Sequence, residues 1–148
     1  NMAVECRAGD NAMIEVTFHR SIQGVGGLDP SDVSVSNGMV SALTIDQNEL
    51  IVELVGVSDA RCLTMAFPGI EDQAGNTATD ILHAGILLGD VNGDGGVNVF
   101  DLLVVRNSLI QSLSDSTFLA DVTRDGRINV FDLLAVRNNI NKTISSCP

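Results

Sequence analysis

Two twelve-residue stretches of the chain carry oxygen donors at matching places. The first is Asp90-Val91-Asn92-Gly93-Asp94-Gly95-Gly96-Val97-Asn98-Val99-Phe100-Asp101. The second is Asp121-Val122-Thr123-Arg124-Asp125-Gly126-Arg127-Ile128-Asn129-Val130-Phe131-Asp132. Asp, Asn or Thr stands at the first, third, fifth, ninth and twelfth places of each, with glycine at the sixth. Donors at that spacing let a short loop wrap one hard cation, the glycine taking the sharp bend and the seventh residue offering its carbonyl. Six of the seven acids beyond Ile81 fall at these places. Carboxylates gathered so closely repel one another unless a cation lies among them, so the pair reads as two calcium loops.

The residues behind the loops show what must position them. Each loop runs into Asp-Leu-Leu-x-Val-Arg-Asn, in which Leu102, Val105 and Leu109, and again Leu133, Val136 and Ile140, recur at helical spacing. Residues 89–110 and 120–141 align without gaps and agree at thirteen of 22 positions, a repeat of period 31. Each unit is therefore expected to be a loop followed by one helix, with an apolar stripe to bury against its twin. The eighth loop residues, Val97 and Ile128, are expected to face each other in a short strand-like contact. Before the first loop, Ala84-Gly85-Ile86-Leu87-Leu88-Gly89 reads as strand and hinge.

Upstream the period is two. Ile14, Val16 and Phe18 alternate with Met13, Glu15 and Thr17; Leu50, Val52 and Leu54 form a second set, and Leu63, Met65 and Phe67 a third. Turn signals such as Asp29-Pro30, Asn37-Gly38 and Gly75-Asn76 separate them. Strands are expected near residues 3–6, 12–19, 32–36, 39–45, 49–56, 61–67 and 79–87, forming an antiparallel sandwich.

Composition narrows the function classes. The 148 residues have room for one ordinary domain or two small ones, and 45% apolar content excludes a disordered chain. Without Trp or Tyr and with five Phe, the core must be aliphatic. A formal charge of −11 argues against nucleic acid or an anionic membrane surface as partner. No stretch approaches the ~20 apolar residues of a membrane-spanning helix. The start at Asn1, without initiator methionine or signal peptide, is the expected look of a mature or excised fragment. No Gly-x-Ser-x-Gly, His-Glu-x-x-His or comparable constellation appears, and His19 and His83 have no evident catalytic partner, so no enzyme is expected. The glycines Gly24, Gly26 and Gly27 lack the strand-to-helix context of a phosphate loop and read as a hairpin tip.

Cys6, Cys62 and Cys147 lack zinc-type or redox-type spacing. They leave open one disulfide with one free thiol, or three free thiols. If Leu63, Met65 and Phe67 point inward, Cys62 points outward. That disfavours a bridge to a buried Cys6 and leaves Cys147 as a partner able to tie the C-terminal part to the sandwich.

Two resemblances add to these readings. The run Phe67-Pro68-Gly69-Ile70-Glu71-Asp72-Gln73-Ala74-Gly75-Asn76 resembles the strand and turn near the end of bacterial immunoglobulin-like modules, and the likeness covers residues 12 to 88 or so. It implies a spacer or stalk module of a secreted protein. The repeated loop-helix unit, with Asp rather than Glu at the twelfth place and no helix before the first loop, resembles the type I dockerin family over about residues 89 to 145. That resemblance implies a small all-α module that folds around two calcium ions and binds a cohesin module on another protein.

Carried over by position, the first ion would be held by Asp90, Asn92, Asp94, the Gly96 carbonyl, Asn98 and Asp101. The second would be held by Asp121, Thr123, Asp125, the Arg127 carbonyl, Asn129 and Asp132. Thr123 departs from the usual Asn or Asp, so the second site is expected to bind less tightly. The cohesin-contacting positions would be Val99, Phe100, Leu103, Arg106 and Asn107, with Val130, Phe131, Leu134, Arg137 and Asn138 in the second copy. The apolar pairs Val99-Phe100 and Val130-Phe131 stand where cellulosomal dockerins commonly carry Ser or Thr.

The combined expectation is a multidomain chain, all-β then all-α. Residues 1–88 would form an immunoglobulin-like antiparallel β-sandwich acting as spacer, and residues 89–148 a dockerin-like calcium module. Its function would be calcium-dependent docking of a secreted or surface-attached bacterial protein, with a link to carbohydrate metabolism through the parent protein and a monomeric state. The alternative is a calcium-stabilised stalk or adhesin end with no cohesin partner.

Overall fold

The computed structural model describes residues 3–9, 11–145 and 147. Among the described residues nine strands are followed by two helices: β1 (Ala3–Glu5), β2 (Ala12–Thr17), β3 (Ile22–Gly24), β4 (Ser34–Val35), β5 (Met39–Asp46), β6 (Glu49–Val55), β7 (Arg61–Ala66), β8 (Ile70–Asp72), β9 (Ile81–Ile86), α1 (Val99–Ser108) and α2 (Val130–Asn139). Short 3-10 turns lie at Pro30–Asp32 and Phe118–Ala120.

The chain divides into two compact units, one drawn from residues 10–58 and 63–83 and the other from residues 1–9, 59–62 and 84–148. In the first, β6 is the central strand of an antiparallel sheet in the order β2-β6-β5, with Ile14 opposite Val52 and Leu43 opposite Val52 on the other side. A bulge shifts the β5 register between Val40 and Ala42. β4 pairs with β7 through Val35 and Met65, and β3 pairs with β8. Leu50, Val52, Leu54, Leu63, Met65 and Phe67 are all buried, as their alternation requires. Phe18 meets Phe67 edge-on with ring centroids 5.5 Å apart.

In the second unit β1 pairs in parallel with the end of β9, Ala3 opposite Ala84 and Glu5 opposite Ile86. Gly89, at φ +98°, then turns the chain into the first loop. A side chain there would meet Val97 and the Val136 backbone at 3.2 and 3.3 Å, so glycine satisfies both the torsion and the close approach. One apolar core gathers Cys6, Leu87, Val91, Val97, Val105, Ala120, Val122, Ile128 and Val136. It thus takes side chains from the N-terminal strand, both loops and both helices.

The expected fold class is overturned. The described residues are predominantly β, with only two ten-residue helices among them, and not an immunoglobulin-like antiparallel sandwich joined to an all-α, dockerin-like half. The unit that carries the helices also contains the parallel β1–β9 pair and an antiparallel bridge between Gly96 and Thr143. The physical reason is long-range pairing: Ala84-Gly85-Ile86 finds its partner strand at the far N-terminus, which local periodicity does not reveal.

Cys62 and Cys147 form a disulfide, and Cys6 is a buried free thiol. Both bridged cysteines belong to the second unit, so the bond closes that unit on itself. On the chain-entropy account, a loop of 85 residues corresponds to about 4.6 kcal/mol of constraint on the unfolded chain.

Candidate functional site

Each loop is organised by its two end carboxylates. Asp90 is buried; its Oδ1 accepts the Asp94 N–H at 3.1 Å and its Oδ2 the Gly95 N–H at 2.9 Å. Asp101 is fully buried; its Oδ1 accepts the Asn92 N–H at 3.0 Å and its Oδ2 the Asn98 N–H at 2.8 Å. The second loop repeats this. Asp121 accepts from the Asp125 and Gly126 N–H groups, and Asp132 from those of Thr123 and Asn129.

The same residues start the helices. Asn98 caps α1 by accepting the Phe100 N–H at 2.8 Å, and Asp101 returns the bond to the Asn98 N–H, a complete capping box. Asn129 and Asp132 do likewise for α2. The ninth and twelfth loop residues therefore have a local structural duty besides any ligand role. It explains why each loop runs straight into a helix.

Electrostatics in the first loop are strained. Burial pushes the Asp90 carboxyl above its ordinary range, helped by the neighbouring Asp101 and Asp94 charges and opposed by the Gly95 and Asp94 N–H groups. Asp94 lies lower than usual, chiefly through the Asn92 side-chain amide, with Asn98 and the Gly96 N–H adding to it. The described ion pairs are Glu5–Arg7, Asp72–Arg20 and Asp59–Lys142, and none uses an acid of the first loop.

Among the described residues no three acid, histidine or cysteine side chains converge to form a metal cluster on their own. The donors of each loop are instead mixed: three Asp, amide oxygens of Asn92 and Asn98 or Asn129, the Thr123 hydroxyl, and main-chain carbonyls at Gly96 and Arg127. This set contains oxygen alone, without sulfur or imidazole, and suits a hard cation rather than zinc or copper. Asp90, Asp94 and Asp101 would hold such an ion, which would offset their gathered negative charge.

One expectation about the loops fails. Val97 and Ile128 share the apolar core, but no described main-chain hydrogen bond joins them. The Val97 N–H donates instead to the Lys142 carbonyl, and the Val97 carbonyl accepts from the Asn141 N–H, both at 2.9 Å. The C-terminal segment takes the place that a strand from the second loop was expected to fill.

The helices pack together through Val105 and Val136, both fully buried. Their opposite stripe is open. Phe100 and Phe131 are each 62% exposed, flanked by exposed Val99 and Val130. Leu134, Arg106, Asn107, Arg137 and Asn138 are exposed beside them, and Leu103 is half-buried. The structure thus brings the ten positions singled out as partner contacts onto accessible parts of two equivalent helices.

Sequence reasoning missed several contributors to this unit. The Ala8 N–H bonds the Val122 carbonyl of the second loop, the Gly89 N–H bonds the Cys6 carbonyl, and Arg7 lies over the Phe118 ring at 5.1 Å. Asp59 accepts the Leu88 N–H at 2.7 Å and pairs with Lys142 at 2.6 Å. None of these follows from local spacing; each is a contact distant in sequence.

Residues 88–141 match the model of the dockerin type I domain. Dockerin domains are non-catalytic, bind calcium and dock cohesin partners, and are typically extracellular or attached to the cell surface. The matched region takes in both loops and both helices, and accounts for about a third of the chain. No curated protein and no solved structure matches the chain. No described helix is long and apolar enough to cross a membrane.

Proposed function

We propose that residues 89–148 are a calcium-dependent docking module for a cohesin-type partner, and that residues 1–88 act as a non-catalytic spacer in the same secreted protein. Asp90, Asn92, Asp94, the Gly96 carbonyl, Asn98 and Asp101 hold one ion. Asp121, Thr123, Asp125, the Arg127 carbonyl, Asn129 and Asp132 hold the other. The ions neutralise the gathered carboxylates and fix the direction in which each helix leaves its loop. With free calcium about 100-fold above the dissociation constant, each would add roughly 2.7 kcal/mol to the folded state.

The partner-facing surface consists of Val99, Phe100, Leu103, Arg106 and Asn107, repeated as Val130, Phe131, Leu134, Arg137 and Asn138. The equal exposure of Phe100 and Phe131 is the observation that carries this reading. An aromatic ring at matching positions of two helices, left open in both, is costly in water and suited to the centre of an interface. The disulfide supports an oxidising, extracellular setting, in a cell-surface or cellulosome-like assembly.

The test is capture of the full chain by a panel of immobilised cohesins, with calcium and with chelator. Retention by at least one cohesin, abolished by chelator, is the expected result. Equal retention in both conditions, or none by any cohesin, would overturn the proposal.

A further inference from the structure

Both helices leave by the same local route, Ile110 and Asn141 taking left-handed torsions of φ 62° and 72° at equivalent positions. The chain then behaves differently in the two copies. After α2, Asn141 donates to the Val97 carbonyl, Val97 donates to the Lys142 carbonyl, and Ile144 donates to the Gly95 carbonyl, at 2.9, 2.9 and 3.0 Å. The tail therefore lies antiparallel along the sixth to eighth residues of the first loop, with Gly96 bridged to Thr143. After α1, the Gln111 N–H turns back to the Ser108 carbonyl, and no described main-chain bond joins residues 110–114 to Ile128 or its neighbours.

This asymmetry falls on one peptide unit. The Val97 N–H and the Gly96 carbonyl belong to the same planar trans peptide, whose N–H and C=O point in opposite directions. By holding the N–H, the tail turns the Gly96 oxygen away from itself, and Asn98 Nδ2 meets that oxygen at 3.0 Å. The corresponding Arg127 carbonyl in the second loop has no such restraint from the chain that follows α1.

The tail is in turn fastened at three points. Ile144 packs against the core, Lys142 pairs with Asp59, whose other oxygen holds the Leu88 N–H, and Cys147 is bonded to Cys62. Both cysteines are only half-buried, within reach of a small reductant.

We infer that the Cys62–Cys147 disulfide is a redox clasp: it holds the tail on the first loop and sets that loop's calcium affinity, leaving the second loop outside its control. The inference rests on the proposed reading that the first loop binds calcium. Opening the clasp takes two electrons from a dithiol. One thiolate of the reductant attacks a protein sulfur and breaks the Cys62–Cys147 bond, releasing one cysteine. Its second thiol displaces the other cysteine, so the reductant leaves as a disulfide and both cysteines gain protons.

The experiment titrates calcium calorimetrically into the full chain in three forms: oxidised, reduced with dithiothreitol, and as the Cys62→Ser/Cys147→Ser variant. Asp94→Ala and Asp125→Ala, both at exposed positions, assign the two binding events. Opening the clasp is expected to weaken the first loop on the order of tenfold and leave the second unchanged. Amide exchange of the reduced wild-type chain without calcium reads the clasp without relying on the serine variant. Exchange at Val97, Asn141 and Ile144 should accelerate while that at Thr123 and Gly126 stays as it was. Equal affinities in all three forms, equal weakening of both loops, or unchanged exchange at Val97 and Ile144 would each overturn the clasp with the calcium reading intact. Failure of the oxidised chain to bind calcium at all would remove that reading and the clasp with it.

Discussion

The Thr123 hydroxyl donates to Asp132 Oδ1 at 2.9 Å, the same oxygen that accepts the Thr123 main-chain N–H. In the first loop the equivalent Asn92 gives Asp101 only its N–H and turns its side chain to Asp94 at 3.0 Å. The third residue of the second loop is thus committed to the twelfth. It offers a neutral hydroxyl where a carboxylate or amide oxygen would serve a cation better. Replacing Thr123→Asp is expected to raise calcium affinity in the second loop on the order of tenfold, because ligand charge tunes such sites. It should also lower the thermal stability of the calcium-free chain, since a new carboxylate then faces Asp132. Calorimetry combined with melting in chelator measures both effects. An unchanged second-site affinity would remove Thr123 from the ligand set.

Phe100 and Phe131 offer a cleaner division between stability and docking. Both rings are mostly in solvent, so Phe100→Ala and Phe131→Ala should each move stability by no more than ~0.5 kcal/mol. Toward a cohesin, a single replacement leaves the equivalent ring of the other helix available and costs little. The double replacement removes both, and about 2 kcal/mol or more of binding should be lost if the rings anchor the interface. Melting curves and cohesin titrations on all three variants decide it. Loss of stability without loss of affinity would make the rings structural.

What could be read in advance follows the range of the interactions. The repeat and the helix behind each loop were legible because each depends on residues near one another in sequence, whereas the helix starts inside the loops, capped at Asn98 and Asn129, were not anticipated. The outward direction of Cys62 was legible for the same reason, from the burial of Leu63, Met65 and Phe67 beside it. β3 and β8 were not, since three residues are too few to show an alternation. The pairing of Ala3 with Ala84 and the crossing of the tail over Val97 were also invisible. They join the ends of the chain to its middle, and nothing in either sequence stretch names its partner. An all-α C-terminal half was the resulting misreading.

Asp72 gives a prediction in the acid range. The Asn76 side-chain amide and N–H, with the Ala74 N–H and the Arg20 guanidinium, hold its carboxylate down to about 2 from an ordinary 3.8. A depressed folded-state value means that the ionised form stabilises the fold above the ordinary value. The contribution is lost as pH falls from about 3.8 through about 2. The melting temperature of Asp72→Ala should lie below that of the unaltered chain at neutral pH, and the gap should close below pH 2. A gap that persists unchanged at pH 2 would mean that ionisation of Asp72 is not what organises the Asp72–Asn76 turn.

Cys6 sits at the opposite extreme. Its thiol lies in the core with Leu87, Val91 and Val122, and burial, with Glu5 and Asp90 adding to it, pushes it up to about 12. Arg7 opposes that rise and does not overcome it. The thiolate is the reactive form, so at pH 8 Cys6 should resist iodoacetamide for as long as the core stays closed. Unfolding the oxidised chain in denaturant should expose one reactive thiol, and adding a reductant should expose three. Because Cys6 packs against residues of both loops, its labelling rate also reports on the core they share. Chelating calcium should speed labelling of the oxidised chain without any denaturant, as the loop carboxylates repel and Val91 and Val122 loosen. A labelling rate indifferent to chelator would show that the core beneath the loops holds without ions.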